Sequence, residues 1–217
     1  MVLNGVPRSG KSSIARALQD AASPETPWLN LGVDTLAAAL PEELRPGIGL
    51  RPGGERPDLE ESVVALFDLL YATVAAWSRT GLNVVVDVGH HDDFSRSRGI
   101  LGRVASEMVA LPAYFVGVRC SFETIMSRRA ATPSGPFGLG GGASGAGGTA
   151  GPVTPDLAQR WERAVHDPGL YDVEVDTSRL SPDACAAAIL RRIAEAPPAA
   201  FAALAGAGSG ARARPRR

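Results

Sequence analysis

Short apolar runs alternate along this chain with longer stretches whose apolar residues recur at helical spacing. Residues 1–3, 28–33, 83–88 and 113–120 are brief and strand-like, the last two rich in β-branched or aromatic side chains. Runs of this kind mark strands buried on both faces of a parallel sheet. Residues 171–176 alternate apolar and polar and predict a fifth strand. Between these runs, helical patterns cover 12–18, 35–40, 59–80, about 95–109, 122–129 and 157–165. A last helix opens at Ser181, a capping residue followed by Pro182. The 59–80 helix is amphipathic, with Val63, Leu66, Phe67, Leu70, Tyr71, Val74 and Trp77 on its apolar side. Tyr71, Trp77 and Trp161 fall in helical stripes and are expected in the core. Strand and helix in alternation predict an α/β fold, a five-stranded parallel sheet flanked by helices. Ligands of such sheets sit at the carboxyl ends of the strands, which points to Asp34, Asp87 and the residues after them.

Three segments break the pattern. Residues 45–58 are rich in proline and glycine and are expected to form a loop over a pocket. Residues 132–155 are dominated by glycine and are expected to move freely, making a mobile lid of about 128–155. From Pro197 the chain alternates Ala, Gly, Pro and Arg without periodicity, so 197–217 is expected to be a disordered tail with a basic end. That leaves 1–196 as one domain.

Chemistry enters at the first turn. Gly5-Val6-Pro7-Arg8-Ser9-Gly10-Lys11-Ser12 fits G-x-x-x-x-G-K-[ST], the loop that wraps the phosphates of a nucleoside triphosphate, and Ser13 continues it into the helix. Glycines let successive N–H groups turn inward as an anion-binding nest. Lys11 is placed to reach the β- and γ-phosphates, and the Ser12 hydroxyl to coordinate Mg²⁺. A strand before the loop and a helix after it supply the context the motif requires.

Composition narrows the class without adding chemistry. Lys+Arg 22 against Asp+Glu 23 leaves a net charge of −1, so no global field recruits nucleic acid or acidic lipid. No Asn-Lys-x-Asp appears, which disfavours a regulatory GTPase, and the chain lacks the basic surface of a nucleic-acid motor. Cys120 and Cys185 lie outside any C-x-x-C, which suits reduced thiols in a cytoplasmic protein; a disulfide between them stays open. No apolar run approaches a membrane span and no leader precedes the phosphate loop, so no membrane partner is expected. Oligomeric state is left open.

Phosphoryl transfer also needs an acid to hold the metal, positive charge on the phosphates and a group to deprotonate the acceptor. Asp87 closes the run Val84-Val85-Val86 and fits the metal-holding acid beside Ser12. Asp34 ends the second run and is either a general base for the acceptor hydroxyl or the N-cap of the next helix. Arg128 and Arg129 precede the glycine-rich segment, where a lid arginine would meet the phosphates. Arg8 faces solvent or acceptor. His90, His91 and Asp92, with Asp93, are adjacent rather than spaced as metal ligands, so they are expected to line the acceptor pocket.

These residues resemble the chloramphenicol phosphotransferase family of P-loop kinases. The resemblance runs through Leu3-Asn4-Gly5, Gly10-Lys11-Ser12-Ser13, Pro27-Trp28-Leu29, Gly32-Val33-Asp34-Thr35-Leu36, Val84 to Asp87, Val116 to Cys120, Val165-His166 and Tyr171 to Thr177, in the family's order. It implies a fold similar to nucleotide and shikimate kinases, over a kinase domain of 1–196. It implies Mg²⁺-dependent transfer of the γ-phosphoryl group of ATP to a hydroxyl of a small molecule, with Asp34 as the base and Lys11 and lid arginines on the phosphates. Related kinases act on nucleoside antibiotics such as capuramycin, some with GTP. The chain departs from the family in its lid and in Val88-Gly89-His90-His91-Asp92-Asp93, so an antibiotic acceptor other than chloramphenicol is expected. The alternatives are a housekeeping nucleoside, sugar or shikimate-type kinase, or a nucleotide-binding switch without catalysis. The pocket residues in view, His, Asp and Gly, lean toward a neutral or polyhydroxylated acceptor.

Overall fold

The computed structural model describes residues 1–41, 45–131 and 153–211. Five strands, β1 (Val2–Asn4), β2 (Trp28–Asn30), β3 (Asn83–Val88), β4 (Phe115–Arg119) and β5 (Val173–Asp176), form one sheet in the order β2-β3-β1-β4-β5. Every neighbouring pair is parallel. Among the described residues eight α-helices accompany them: α1 (Lys11–Asp20), α2 (Val33–Ala39), α3 (Glu60–Arg79), α4 (Ile100–Met108), α5 (Phe122–Ala131), α6 (Pro155–Val165), α7 (Pro182–Glu195) and α8 (Ala200–Ala211), with a short 3-10 helix at Gly47–Leu50. The five-stranded parallel sheet flanked by helices is the architecture the alternation predicts.

Burial on both sides explains the apolar runs. Val2, Val84, Val86 and Phe115 pack with residues of α3, α4 and α8 on one face. Leu3, Val85, Val116 and Val175 pack with α1 and α7 on the other. By length and composition α3 is apolar enough to cross a membrane, yet its Val63, Leu66, Phe67, Leu70, Tyr71 and Val74 are buried in the first of these layers. A small third cluster joins Val6 of the phosphate loop to Cys120, Ile125, Trp161 and Val165. Cys120 and Cys185 are buried free thiols.

Register fixes the site. Leu3 pairs with Asp87 and Asn4 with Val88, so the carboxyl ends of β1 and β3 are side by side. The Gly5 N–H donates to Val88 O at 3.2 Å and holds the start of the phosphate loop there.

Three boundaries differ from the sequence reading. The second strand stops at Asn30, and α2 begins at Val33 with Gly32 as its N-cap. Asp34 therefore stands inside the first turn of α2, neither at a strand end nor at the cap. The helix expected from about 95 starts at Ile100. The segment before it is held in a turn by side chains: Asp92 accepts from the N–H groups of Arg98 and Gly99, and buried Glu60 from Ser95 N.

The largest correction is the tail. Residues 200–211 are helical rather than disordered, and Ala200, Phe201 and Leu204 are buried against the core. Alanine has the highest helix propensity, and Phe201 with Leu204 gives a one-turn apolar stripe. Asp172, far back in the chain, caps this helix through Ala199 N at 2.7 Å and Ala200 N at 3.1 Å. Residues 212–217 and most of the expected lid, 132–152, lie outside the described residues.

Candidate active site

The phosphate loop connects β1 to α1, and each glycine in its motif has its own physical cause. Gly10 has φ +95, a conformation L side chains rarely adopt, and so turns the chain into α1. At Gly5 the constraint is space: a Cβ would lie 2.5 Å from Val118 O on β4. Arg8 takes φ 72 without being glycine, an uncommon backbone state at a loop apex. No side chain caps α1, and the N–H of Ser13 is taken by Gly10 O at 3.1 Å, which leaves those of Lys11 and Ser12 to meet an anion in the loop. Lys11 Nζ donates to Gly5 O and Val6 O, both at 2.9 Å, and lies 3.5 Å from Asp87 Oδ1. Ser12 Oγ donates to Asp87 Oδ2 at 2.5 Å.

This geometry fits the group that a phosphate-binding loop implies. Ser12 and Asp87 offer adjacent hard oxygen ligands, and the remaining ligands of Mg²⁺ in such sites come from water and phosphate. Among the described residues no three His, Cys, Asp or Glu side chains gather to hold a metal by themselves.

Asp34 shares a cleft of about 460 Å³, partly open to solvent, with Gly5, Pro7, Lys11, Asp87 and Gly89. Its carboxylate is open to solvent but crowded by protein. Crowding raises its pKa first, the nearby charge of Asp87 adds to that, and Lys11 opposes both. A carboxylate with raised proton affinity, facing the phosphate end of a cleft, is suited to taking a proton from a hydroxyl.

The two arginines before the lid take different places. Arg128 is a brace: its guanidinium donates to Arg8 O at 3.1 Å, Thr177 Oγ1 at 3.0 Å and Thr177 O at 2.9 Å. Thr177 Oγ1 in turn donates to Ser9 O at 2.6 Å, so the outer side of the phosphate loop is tied to the end of β5. Arg129 is partly buried, which lowers its pKa, and the charges of Arg8 and Arg51 lower it further. Among the described residues its Nε has no hydrogen-bond partner. Three guanidinium groups from the phosphate loop, the 45–58 segment and α5 therefore share one region. Arg51 escaped the sequence reading because it sits in an irregular loop.

The group after β3 does not gather at the cleft. His90 is buried, its Nε2 2.6 Å from Tyr71 Oη, its backbone N–H on Asn4 Oδ1 at 2.7 Å, its ring beside Phe67. Burial, with a smaller contribution from His91, takes its pKa down to about 3, so the imidazole is neutral. His91 Nε2 lies 3.0 Å from Leu50 O, and its ring packs on Phe94. Asp92 caps the turn before α4, and the Asp93 carboxylate binds Arg160 at 2.5 and 2.7 Å. The expectation that His90, His91 and Asp92 line the pocket is corrected. Adjacent side chains leaving a strand end diverge, and here burial and capping claim each one. Val88 and Gly89 line the cleft instead.

The other wall comes from Val33, Phe67 and Trp161, which lie in a strand-like run and helical stripes, and from Leu50 of the 45–58 loop, the segment expected over a pocket. Asp93 also accepts from Gly53 N through its backbone carbonyl at 2.7 Å. With the Arg160 pair, that contact ties the 45–58 loop and α6 together beside the cleft.

A phosphate-loop motif with its lysine, beside a cleft lined by Asp34 and Asp87, is the arrangement of a small-molecule kinase of the P-loop class, and the family match agrees. The chain belongs to the family described as chloramphenicol phosphotransferase-like protein, whose pattern matches residues 1–194. Solved structures agree on the fold. A sugar kinase from Janibacter sp. HTCC2649 superposes with TM-score 0.58 at 19% identity, covering 90% of this chain and 94% of its own. The tunicamycin resistance protein of Deinococcus radiodurans gives 0.57 at 14% identity, covering 91% and 96%. Shikimate kinase from Acinetobacter baumannii, in complex with shikimate, gives 0.54 at 15% identity, covering 88% and 90%. No curated protein matches the chain.

Proposed function

We propose that this kinase transfers the γ-phosphoryl group of ATP or GTP to a hydroxyl of an antibiotic or related natural product and so inactivates it. The observation that carries the reading is Asp34, a carboxylate of raised pKa that lines one cleft with Lys11 and Asp87. Ser12 and Asp87 would hold Mg²⁺, which when bound withdraws charge from the phosphate oxygens. The open N–H groups of α1 and the Lys11 ammonium hold the triphosphate in the loop. Asp34 takes the proton of the acceptor hydroxyl. The freed oxygen attacks the γ-phosphorus, the bond to the β–γ bridging oxygen breaks, and nucleoside diphosphate leaves. Arg129 and Arg8 lend positive charge to the phosphoryl group in transit. Arg128 acts through the loop it braces. The reaction is assigned to the cytoplasm, where Cys120 and Cys185 persist as thiols. The antibiotic acceptor is supported by family membership and by the fold shared with a tunicamycin resistance protein.

The test is a phosphoryl-transfer screen. Protein, Mg²⁺ and ATP or GTP are incubated with hydroxyl-bearing antibiotics, nucleosides, sugars and hydroxy acids, and products are weighed for the gain of one phosphate. An antibiotic hit is expected, with kcat falling about 10²–10⁴-fold in Asp34→Asn while nucleotide affinity is kept. Transfer only to metabolites would move the enzyme to primary metabolism. Undiminished turnover in Asp34→Asn would remove the assigned base.

A further inference from the structure

The peptide units of the phosphate loop are held from outside by two side chains that lie beyond its motif. Thr177 is the first residue after β5, and its backbone N–H donates to Arg119 O at 3.0 Å, so the sheet itself sets its position. Its Oγ1 donates to Ser9 O at 2.6 Å and accepts from Arg128 Nη1 at 3.0 Å. The same guanidinium donates to Arg8 O at 3.1 Å and to Thr177 O at 2.9 Å. Two successive carbonyls of the loop, Arg8 O and Ser9 O, are therefore both turned toward Thr177 and Arg128.

A trans peptide points its C=O and its N–H in opposite directions, and among the described residues the cis bond is Asp167-Pro168. Fixing Ser9 O toward Thr177 therefore directs the Gly10 N–H away from it. The Ser9 N–H, opposite Arg8 O, turns back within the loop to Val6 O at 3.1 Å. Such inward N–H groups are what cradle phosphate in a loop of this kind. The packing behind them is close. A Cβ on Gly10 would lie 3.3 Å from Thr177 Cγ2 and 3.4 Å from Arg128 Nη1. Arg8 holds φ 72 without being glycine, a backbone state that persists where surrounding contacts fix it, and the Arg128 bond to Arg8 O is such a contact.

Resting on the phosphate-loop reading above, we propose that Thr177 is a positioning residue for nucleotide. Its hydroxyl, with Arg128 behind it, sets the Ser9–Gly10 peptide so that the Gly10 N–H meets a phosphate oxygen of the bound triphosphate. Thr177 acts through the loop and touches neither base nor phosphate. The nest is formed before nucleotide arrives, and Arg128 joins it to α5, the helix that leads into the lid segment.

The experiment uses the full chain with Mg²⁺ and, as probes, tripolyphosphate, ATP and GTP. Binding is read by calorimetry, and the Gly10 amide by NMR. The wild type is expected to bind tripolyphosphate and at least one nucleotide, with the Gly10 amide shifting on both. Thr177→Val removes the hydroxyl at nearly constant shape and should bind both about tenfold more weakly, with a smaller amide shift. Thr177→Ser keeps the hydroxyl and should restore affinity and shift. Arg128→Lys keeps the charge but not the fork and should weaken both probes as well; it carries the test if Thr177→Val folds poorly. A loss confined to the nucleotides, with tripolyphosphate unaffected, would mean that Thr177 meets the base and would overturn the proposal. Unchanged affinity in Thr177→Val, no recovery in Thr177→Ser, or a wild type that ignores tripolyphosphate would overturn it too. The kinase reading fails separately, on the absence of transfer to every acceptor of the wider screen while these probes still bind.

Discussion

Asp34 sits between opposing influences, and its titration should report them. Crowding and the charge of Asp87 raise its pKa, and Lys11 lowers it. On the proposed reading, in which Asp34 acts as the base in its carboxylate form, raising its pKa moves the acid limb of kcat/KM upward from the ordinary value of 3.8. Removing the like charge in Asp87→Asn should move the limb of the residual activity to lower pH. Removing Lys11 should move it the other way. A limb that ignores Asp87 would mean a different group is titrating. The same shift has a stability sign. A carboxyl whose folded pKa is raised contributes stability below its unfolded pKa and loses it as pH rises through the folded value. Asp34→Asn should therefore melt no lower than wild type at neutral pH. Lys11, Ser12 and Asp87 were legible in the sequence because a fixed spacing and an acid closing an apolar strand each have one geometric outcome. Trp161 was not, since a helical apolar stripe looks the same whether it meets the core or a cavity wall. His90, His91 and Asp92 misled because a strand's end places the backbone and leaves each side chain free to turn inward.

At the scale of elements, α8 gives the clearest test. Phe201 is 3% exposed and lies 5.0 Å, ring to ring, from Phe115 on β4. Phe201→Ala should cost about 3–5 kcal/mol of stability, read by urea unfolding, with kcat below the melting range unchanged. A loss under about 1 kcal/mol would mean that the helix docks weakly. The five strands and the helices flanking them were legible because their hydrophobic periods are strong. Two of the departures share a cause: α8 and the late start of α4 depend on carboxylates outside the helix, Asp172 and Asp92, accepting backbone N–H groups. No local pattern announces a cap that lies elsewhere in the chain.

For the whole molecule, two buried imidazoles make stability depend on pH. Burial is the main reason that His90 and His166 are each taken from 6.5 down to about 3, with the charges of Arg119 and Lys11 helping at His166. Between those values the unfolded chain binds protons that the native state refuses, so stability falls as pH drops below 6.5. Each histidine contributes up to about 1.4 kcal/mol per pH unit. Chemical denaturation at a series of pH values should show this slope, reduced by one proton in His90→Gln; an unchanged slope would place the imidazole in contact with water.

The pairing of β1 carries a consequence for how the chain assembles. Val2 is held between Val86 and Phe115, so the middle strand of the sheet has no neighbour from its own stretch of sequence. On the ribosome it must wait, unpaired, until β3 and then β4 emerge. The nucleotide loop it carries is framed by the same late arrivals, since Gly5 is hydrogen-bonded to Val88 and packed on Val118. On the proposed reading, nucleotide can therefore reward only a chain in which β3 and β4 have already joined β1, and no earlier fragment gains from it.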